Sequence, residues 1–305
     1  MPGTWPRAFG AGSPRGGPVE KRAPRGEISR LRGKAPALQI LERRVNSVRL
    51  DDVRAYWEAN PLAASAIPHP RGSREYFEYY DRLREANESL AFSYRLHEYR
   101  DFRGGKVLDV GCGNGYVLSH FAREGAEVYG VDLTDAAVAL CRKRFEYLGL
   151  HGDFRQGNAE ALPFPDATFD CVTSMGVLHH TPDTAAAVAE VYRVLRPGGR
   201  LIVMFYHRDS ALYRIKFPLL RLWRGKTTQQ LVNEVDGDGN PLGDVYSKQE
   251  LGRLLGRFTD LEMSVGLLEG EMLVPRAGRF IPAPVLRLLE PRLGWFLYAK
   301  GRKPA

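Results

Sequence analysis

From Lys106 onward, short apolar blocks alternate with longer segments whose apolar residues recur three or four positions apart. The blocks fit buried strands, and the recurring spacing fits helices with one apolar face. Strands are expected near 106–110, 127–131, 153–156, 169–174 and 200–206, and helices near 115–124, 135–147 and 184–194. This alternation predicts a parallel sheet with crossover helices. Thr134 is placed to cap the second of these helices, and Pro197-Gly198-Gly199 is a turn by composition, feeding the fifth strand.

On either side of this core the pattern changes. Residues 47–103 read as helical pieces. Asp51 is expected to cap a helix through Val53, Tyr56 and Trp57 that ends at Asn60-Pro61, and Ser73 to cap a second helix carrying Tyr76, Phe77, Tyr79, Tyr80 and Leu83. Residues 208–247 break the alternation after the fifth strand. Ser247 and Glu250 then form a capping box for a helix with Leu251, Leu254 and Leu255 on its apolar face. Two last strands are expected at 261–265 and 295–299, with a helical insertion in 267–294 that holds Phe280, Ile281, Val285, Leu286, Leu288 and Leu289. The chain thus divides into a tail (1–46), a helical cap (47–103), an α/β core (104–207), an insertion (208–247) and a C-terminal return to the core (248–305).

Composition sharpens this picture in three places. The apolar share of 44% over 305 residues supports a sizeable core. No apolar run reaches the roughly 18 residues of a transmembrane helix, and the start has no apolar signal region. Cys112, Cys141 and Cys171 are too few and unevenly spaced for a disulfide framework or a zinc site, which points to a reducing cytoplasm. The net charge is +8, and residues 1–46 hold ten cations against three acids, or +7 of it. The basic balance belongs to a Gly/Pro/Arg-rich segment expected to be disordered, either a solvated extension or an arm for nucleic acid or anionic membrane. Its aromatics, Trp5 and Phe9, lie at the start and do not interleave with the cations of 15–44, so nucleic acid is the less favoured partner.

The chemistry concentrates in Val107-Leu108-Asp109-Val110-Gly111-Cys112-Gly113-Asn114-Gly115, a buried strand running into a glycine turn and a helix. The turn lets a ligand approach the backbone, and the helix presents its N-terminal N–H groups. Asp109 stands just before the turn, suited to a cationic amine. The spacing G-x-G-x-G departs from the dinucleotide pattern G-x-G-x-x-G. A second acid, Asp132, ends the next strand, where a carboxylate can accept two hydrogen bonds from a ribose diol.

These residues resemble the class I S-adenosylmethionine-dependent methyltransferases, in the branch of the ubiquinone/menaquinone-type C-methyltransferases (methyltransferase type 11 domain). The matching pieces are VLDVGCGNG (107–115), VYGVDLT (128–134), GNAEALPFPDATFD (157–170), SMGVLHHTPD (174–183) and LRPGGRLIV (195–203), in the family's order. The resemblance implies an α/β fold: a Rossmann-like sheet of seven strands with helices on both faces, an N-terminal helical cap and a lid after strand five. It implies S-adenosyl-L-methionine as cofactor and methyl transfer to a small, apolar or aromatic acceptor, with no metal.

Under that resemblance Asp109 meets the cofactor's ammonium group, Gly111 and Gly113 form its bed, and Asp132 takes the ribose. Leu133, Asn158 and Ala159 lie at the adenine, and Met175 gives backbone contacts to the methionine end. Tyr56, Trp57, Tyr76 and Tyr80 are candidates to wall the site. His180, Tyr206 and His207 are the candidates to orient or deprotonate the acceptor. The competing reading of His179 and His180 is that of loop histidines that cap the helix beginning at Pro182-Asp183 or bond backbone, and His179 is expected to be one. Residues 212–224 form an apolar stretch with regular cations, read either as a lid packed on the domain or as a peripheral membrane contact. Pro218 should break any helix there. Residues 236–240 make a turn-rich loop without the ligand pattern of a calcium site. The rivals are a catalytically silent cofactor-binding partner, an RNA methyltransferase and a nicotinamide-dependent oxidoreductase.

Overall fold

The computed structural model describes residues 48–61, 67–225, 227–233, 237 and 239–305. The tail expected over 1–46 therefore lies outside the described residues, as do Asp236 and Asp238 of the turn-rich loop. Five parallel strands form as expected: β1 (Lys106–Val110), β2 (Glu127–Asp132), β3 (Asp153–Gln156), β4 (Phe169–Met175) and β5 (Leu195–His207). A two-residue β6 (Val245–Tyr246) follows, then β7 (Thr259–Gly266) and β8 (Phe296–Arg302). The strands lie in the order β3-β2-β1-β4-β5-β8-β7. β8 is antiparallel to both β5 and β7. The sheet is the expected seven-stranded one with an eighth strand added.

That added strand has a clear place. β8 pairs with β5 as far as Tyr206, while β4 pairs with β5 only as far as Met204. β6 bonds Tyr206 and His207 in parallel, on the side of β5 that β4 has left. A piece of the 208–247 insertion thus caps the carboxyl end of β4.

The turn expected at Pro197-Gly198-Gly199 lies inside β5 instead. Phe169 pairs with Leu195 and Cys171 with Arg200, so five steps of β5 oppose two of β4 and the extra residues bulge. Gly198 takes φ +75° there, and the C-terminal segment holds the bulge through Gly198 N–H to the Lys303 carbonyl and Lys303 N–H to the Gly199 carbonyl.

Helices cover both faces. α1 (Leu50–Ala59), α2 (Arg74–Asn87) and α3 (Leu90–His97) precede the sheet. α4 (Tyr116–Arg123), α5 (Asp135–Leu148) and α6 (Thr184–Val194) are the crossovers. α7 (Phe217–Arg224) and α8 (Thr228–Asn233) lie in the insertion, and α9 (Lys248–Leu254), α10 (Gly270–Leu273) and α11 (Ala283–Leu293) complete the set. On one face Val107, Val128, Cys171, Ile202 and Met204 pack with Tyr76, Phe77, Phe121 and Phe145 from α2, α4 and α5. On the other, Leu108, Val110, Val172, Leu201 and Val203 pack with Val188, Val191 and Leu251 from α6 and α9.

The caps follow the sequence with one exception. Ser73, Thr134 and Ser247 accept the N–H of Tyr76, Ala137 and Glu250, and Glu250 returns the box to the Ser247 N–H. α1 starts earlier than expected: Asp51 lies in its first turn, and Asp52 accepts the Arg49 N–H at the actual start. Pro218 sits in the first turn of α7, after a π-type turn over Leu212–Lys216, so the break it imposes is at the helix start.

Candidate functional site

The strand order reverses between β1 and β4, and in such sheets ligands lie beyond the carboxyl ends at the reversal. The glycine turn leaves β1 there, and its glycines do three different things. A Cβ on Gly111 would meet Val177 Cγ2 at 2.2 Å, so Gly111 lets the turn pack against the loop after β4. A Cβ on Gly115 would meet Cys141 Sγ at 2.7 Å, which seats the turn on α5. Gly113, at φ +52°, has nothing within 4 Å of that position. Gly113 thus borders open space, and Gly111 and Gly115 make room for protein.

Two carboxylates flank the turn in contrasting states. Asp132 is braced: one oxygen accepts the Gly113 N–H at 3.1 Å, and the other accepts the Thr134 N–H and hydroxyl at 3.0 and 2.8 Å. Burial raises its pKa, and these bonds oppose the rise. Asp109 is 3% exposed, and its Oδ1 has no hydrogen-bond partner. Burial drives its pKa well up, with the charge of Arg84 opposing. Its register partner on β4, Thr173, is also buried with an unpartnered hydroxyl. Two adjacent strands therefore hold buried oxygens that lack partners beside the glycine turn, an uncommon arrangement that asks for a ligand or ordered water.

Leu133, Asn158 and Ala159 follow from the carboxyl ends of β2 and β3. The Gly157 N–H bonds the Asp132 carbonyl, which brings Asn158 and Ala159 alongside Leu133. The Asn158 side-chain carbonyl accepts the Glu160 N–H at 3.0 Å, so one lone pair already serves the turn. Beyond β4, Met175 is half-buried and Gly176 takes φ +74°.

The acceptor candidates divide. His179, His180 and Tyr206 form an aromatic cluster, with ring centres 4.2 Å apart for His179–Tyr206 and 5.7 Å for His180–Tyr206. His180 Nδ1 lies 2.6 Å from the Leu242 carbonyl, which places its hydrogen on Nδ1 and makes Nε2 the basic nitrogen. His179 was expected to bond backbone through its ring. Instead its ring is fully buried, both nitrogens lack partners, and burial holds its pKa well below the usual range. The His179 backbone carbonyl accepts the Asp244 N–H, tying the insertion to this loop. His207 does not join the cluster. It follows Tyr206 on the strand, its Nδ1 bonds the Gly294 carbonyl at 3.0 Å, and burial lowers its pKa.

The cap contributes from the other side. Trp57 lies edge-on to His180 at 5.3 Å, and Glu58, next in the chain, accepts the N–H groups of Asp135 and Ala136 at the start of α5. α1 therefore reaches from the β2–α5 junction to the histidine loop. Of the proposed wall residues, Tyr76 and Tyr80 are core: they are buried against α5, with Tyr80 among the rings around the Arg144 guanidinium.

Residues 108–203 match a family described as a methyltransferase domain. Over that span the chain is similar to methyltransferase domains. The ubiquinone/menaquinone biosynthesis C-methyltransferase of Cronobacter sakazakii is 40% identical over 111 residues, 35% of this chain and 44% of that one. The chain thus spans less than half the length of the curated relatives it matches. A methyltransferase from Methanosarcina mazei shares the fold at TM-score 0.52 and 23% identity, over 69% of this chain and 97% of its own. The geranyl diphosphate C-methyltransferase of Streptomyces coelicolor shares it at TM-score 0.54 and 15% identity, over 85% and 98%.

Several residues around the glycine turn and the histidine loop gave no local signal in the sequence. Glu58 is one acid among many on a surface helix. Thr173 is a β-branched residue in a strand. Arg144 reads as a surface cation, yet it is 1% exposed, donates to the Asn114 carbonyl of the glycine turn, and pairs with Asp81 of α2 at 2.8 Å. Among the described residues no three His, Cys, Asp or Glu side chains gather as a metal site.

Proposed function

We propose that this chain transfers a methyl group from S-adenosylmethionine to a small apolar or aromatic acceptor. The observation that carries the reading is the Asp109 oxygen: a buried carboxylate without a partner, two residues before a turn whose middle glycine borders open space. These features fit a ligand with an ammonium group at one end and a nucleoside at the other. In this reading Asp109 holds the ammonium, Gly111 and Gly113 shape the bed, and Asp132 accepts from the ribose hydroxyls. Leu133 and Ala159 flank the adenine, the Asn158 amide addresses its edge, and the Met175 backbone faces the methionine end.

The bound cofactor supplies a methyl group on a positively charged sulfur, already activated for displacement. The chain's part is then chiefly alignment, which can be worth roughly 7–11 kcal/mol. Trp57, His180 and Tyr206 offer aromatic walls for a flat acceptor. Where the acceptor arrives protonated, His180 Nε2 is the nitrogen to take the proton, for a gain of about 10²–10⁴-fold. Tyr206 orients the acceptor, and His207 is left with a structural part. The curated relatives are named as C-methyltransferases, so phenols and quinols, whose ring carbons become nucleophilic on deprotonation, are the first acceptors to test. The three cysteines are free and buried, in keeping with a reducing, cytoplasmic setting.

Calorimetry with S-adenosylmethionine, S-adenosylhomocysteine and NAD tests the cofactor half. Micromolar binding of the first two alone is expected, and binding of NAD alone overturns the reading. Transfer of a labelled methyl group to a panel of phenols and quinols tests the acceptor half.

A further inference from the structure

The stretch from Val274 to Gly294 meets solvent in an unusual way. Of the seven strongly exposed large apolar side chains among the described residues, four fall here: Val274, Phe280, Val285 and Leu288. Phe280 is 74% exposed and Leu288 78%. These are not side chains waiting for a place in the core. α11 already packs on the sheet through Leu286, Leu289 and Leu293, while Val285, Leu288 and Arg292 share its outer face at helical spacing.

The charges around them have one sign. Arg276, Arg279, Arg287 and Arg292 are exposed. The one acid in the stretch, Glu290, is turned inward and accepts the Leu267 N–H at 2.8 Å. The Arg279 guanidinium lies 4.8 Å from the centre of the Phe280 ring, so cation and apolar ring project together. A second copy of this chain is disfavoured on this face, because two such surfaces would oppose four arginines to four. A surface on which exposed apolar residues stand among arginines matches the chemistry of an anionic bilayer interface: rings and aliphatic chains enter the acyl boundary, and guanidinium groups meet the phosphates.

We infer that the 274–292 surface docks this protein on anionic membrane, with Phe280 and Leu288 as the inserting residues. The sequence had pointed to 212–224 for such a contact. In the fold Leu212, Tyr213 and Phe217 of that stretch are buried and Leu219 is exposed, so among the described residues the larger share of exposed apolar side chains lies in the 274–292 segment. The two are joined: the Trp295 indole, just past α11, donates to the Tyr213 hydroxyl at 3.0 Å and stacks on Tyr206. A membrane contact at α11 therefore lies one residue layer from the proposed acceptor site. The inference does not depend on what the acceptor is.

The test is flotation of the full chain with phosphatidylcholine vesicles containing about one-third phosphatidylglycerol, against vesicles of phosphatidylcholine alone. Because residues 1–46 are basic and could bind vesicles by themselves, the decisive readout is local. Leu288→Cys, labelled with an environment-sensitive dye, is expected to shift to the blue on anionic vesicles and not on neutral ones. Phe280→Ser with Leu288→Ser leaves the charge unchanged and is expected to weaken flotation about thirtyfold, since both inserting apolar side chains are lost. Both sites are exposed, so folding is spared, and an unchanged melting temperature checks this. Flotation without a dye shift, flotation unaffected by the double variant, or a dye shift caused by self-association in the absence of lipid each overturns the inference.

Discussion

The two halves of the site are built differently. On the cofactor side, the contacts run between residues close in sequence or on adjoining strands: Asp132 to Thr134, Asp132 to Gly113, Gly157 to Asp132. Backbone groups and short polar side chains make these bonds. On the acceptor side, one cluster draws on Trp57 from the cap, His180 from the loop after β4, Tyr206 from β5, Leu242 from the insertion and Trp295 from the C-terminal return. The difference teaches that one half is a local motif and the other an assembly. The first can be carried from fold to fold, whereas the second can change acceptor by exchanging segments around a fixed centre.

The sharpest break in this comparison comes within the motif itself. Gly111→Ala forces a methyl into Val177 at a left-handed backbone position, and should cost about 3 kcal/mol or more. Gly113→Ala meets no neighbour and should cost only about 1 kcal/mol of backbone strain, yet lower cofactor affinity by filling the bed. Denaturant unfolding with calorimetry separates the two. If both variants lose stability equally, Gly113 does not border the cofactor.

Asp132→Ala comes next. It removes the proposed ribose acceptor and is expected to weaken cofactor binding about tenfold or more, in line with about 1.5–3 kcal/mol for a charged hydrogen bond. Unchanged affinity would count against the ribose role. On the other half, Tyr206→Leu should leave cofactor affinity within about twofold and lower acceptor turnover or raise its KM about tenfold, as aromatic contacts contribute about 0.5–1.5 kcal/mol each. A cofactor defect of the same size would merge the two halves into one.

The smallest effect is a pH dependence. Burial raises the Asp109 pKa, so in the ligand-free protein this carboxyl holds its proton to higher pH than in the unfolded chain. Its contribution to stability is then greatest at low pH and is lost as pH rises through the interval between the ordinary and the raised value. An ammonium ligand favours the ionised form, so cofactor affinity should rise with pH across the same range, by at most about tenfold per unit. In Asp109→Asn the slope should vanish. A slope that persists in the variant assigns the titration to another group.

The fold was legible because the strands announce themselves one at a time. β1 and β2 are short, largely apolar runs, and β2 is followed by a cap residue that acts within four positions, Thr134 on Ala137. The Pro197-Gly198-Gly199 segment was misread for the same reason. Its composition is that of a turn, and only its pairing with β4 and the bond from Gly198 to Lys303 keep it in the strand as a bulge. The small strand β6 had no signal of its own, since two residues carry no period.

What the sequence determined by itself, then, is the parallel core, the cofactor turn and its two carboxylates, because these rest on backbone conformation and on partners a few residues away. The tertiary structure alone decided which glycine borders open space, that His207 leaves the aromatic cluster while Trp57 and Trp295 join it, and that Arg144 is buried against the glycine turn. It also decided that Val274, Phe280, Val285 and Leu288 stand exposed while Leu212, Tyr213 and Phe217 are buried. Each of those outcomes depends on which distant surfaces meet, and burial is a property of the packed pair, which no spacing within one segment can encode.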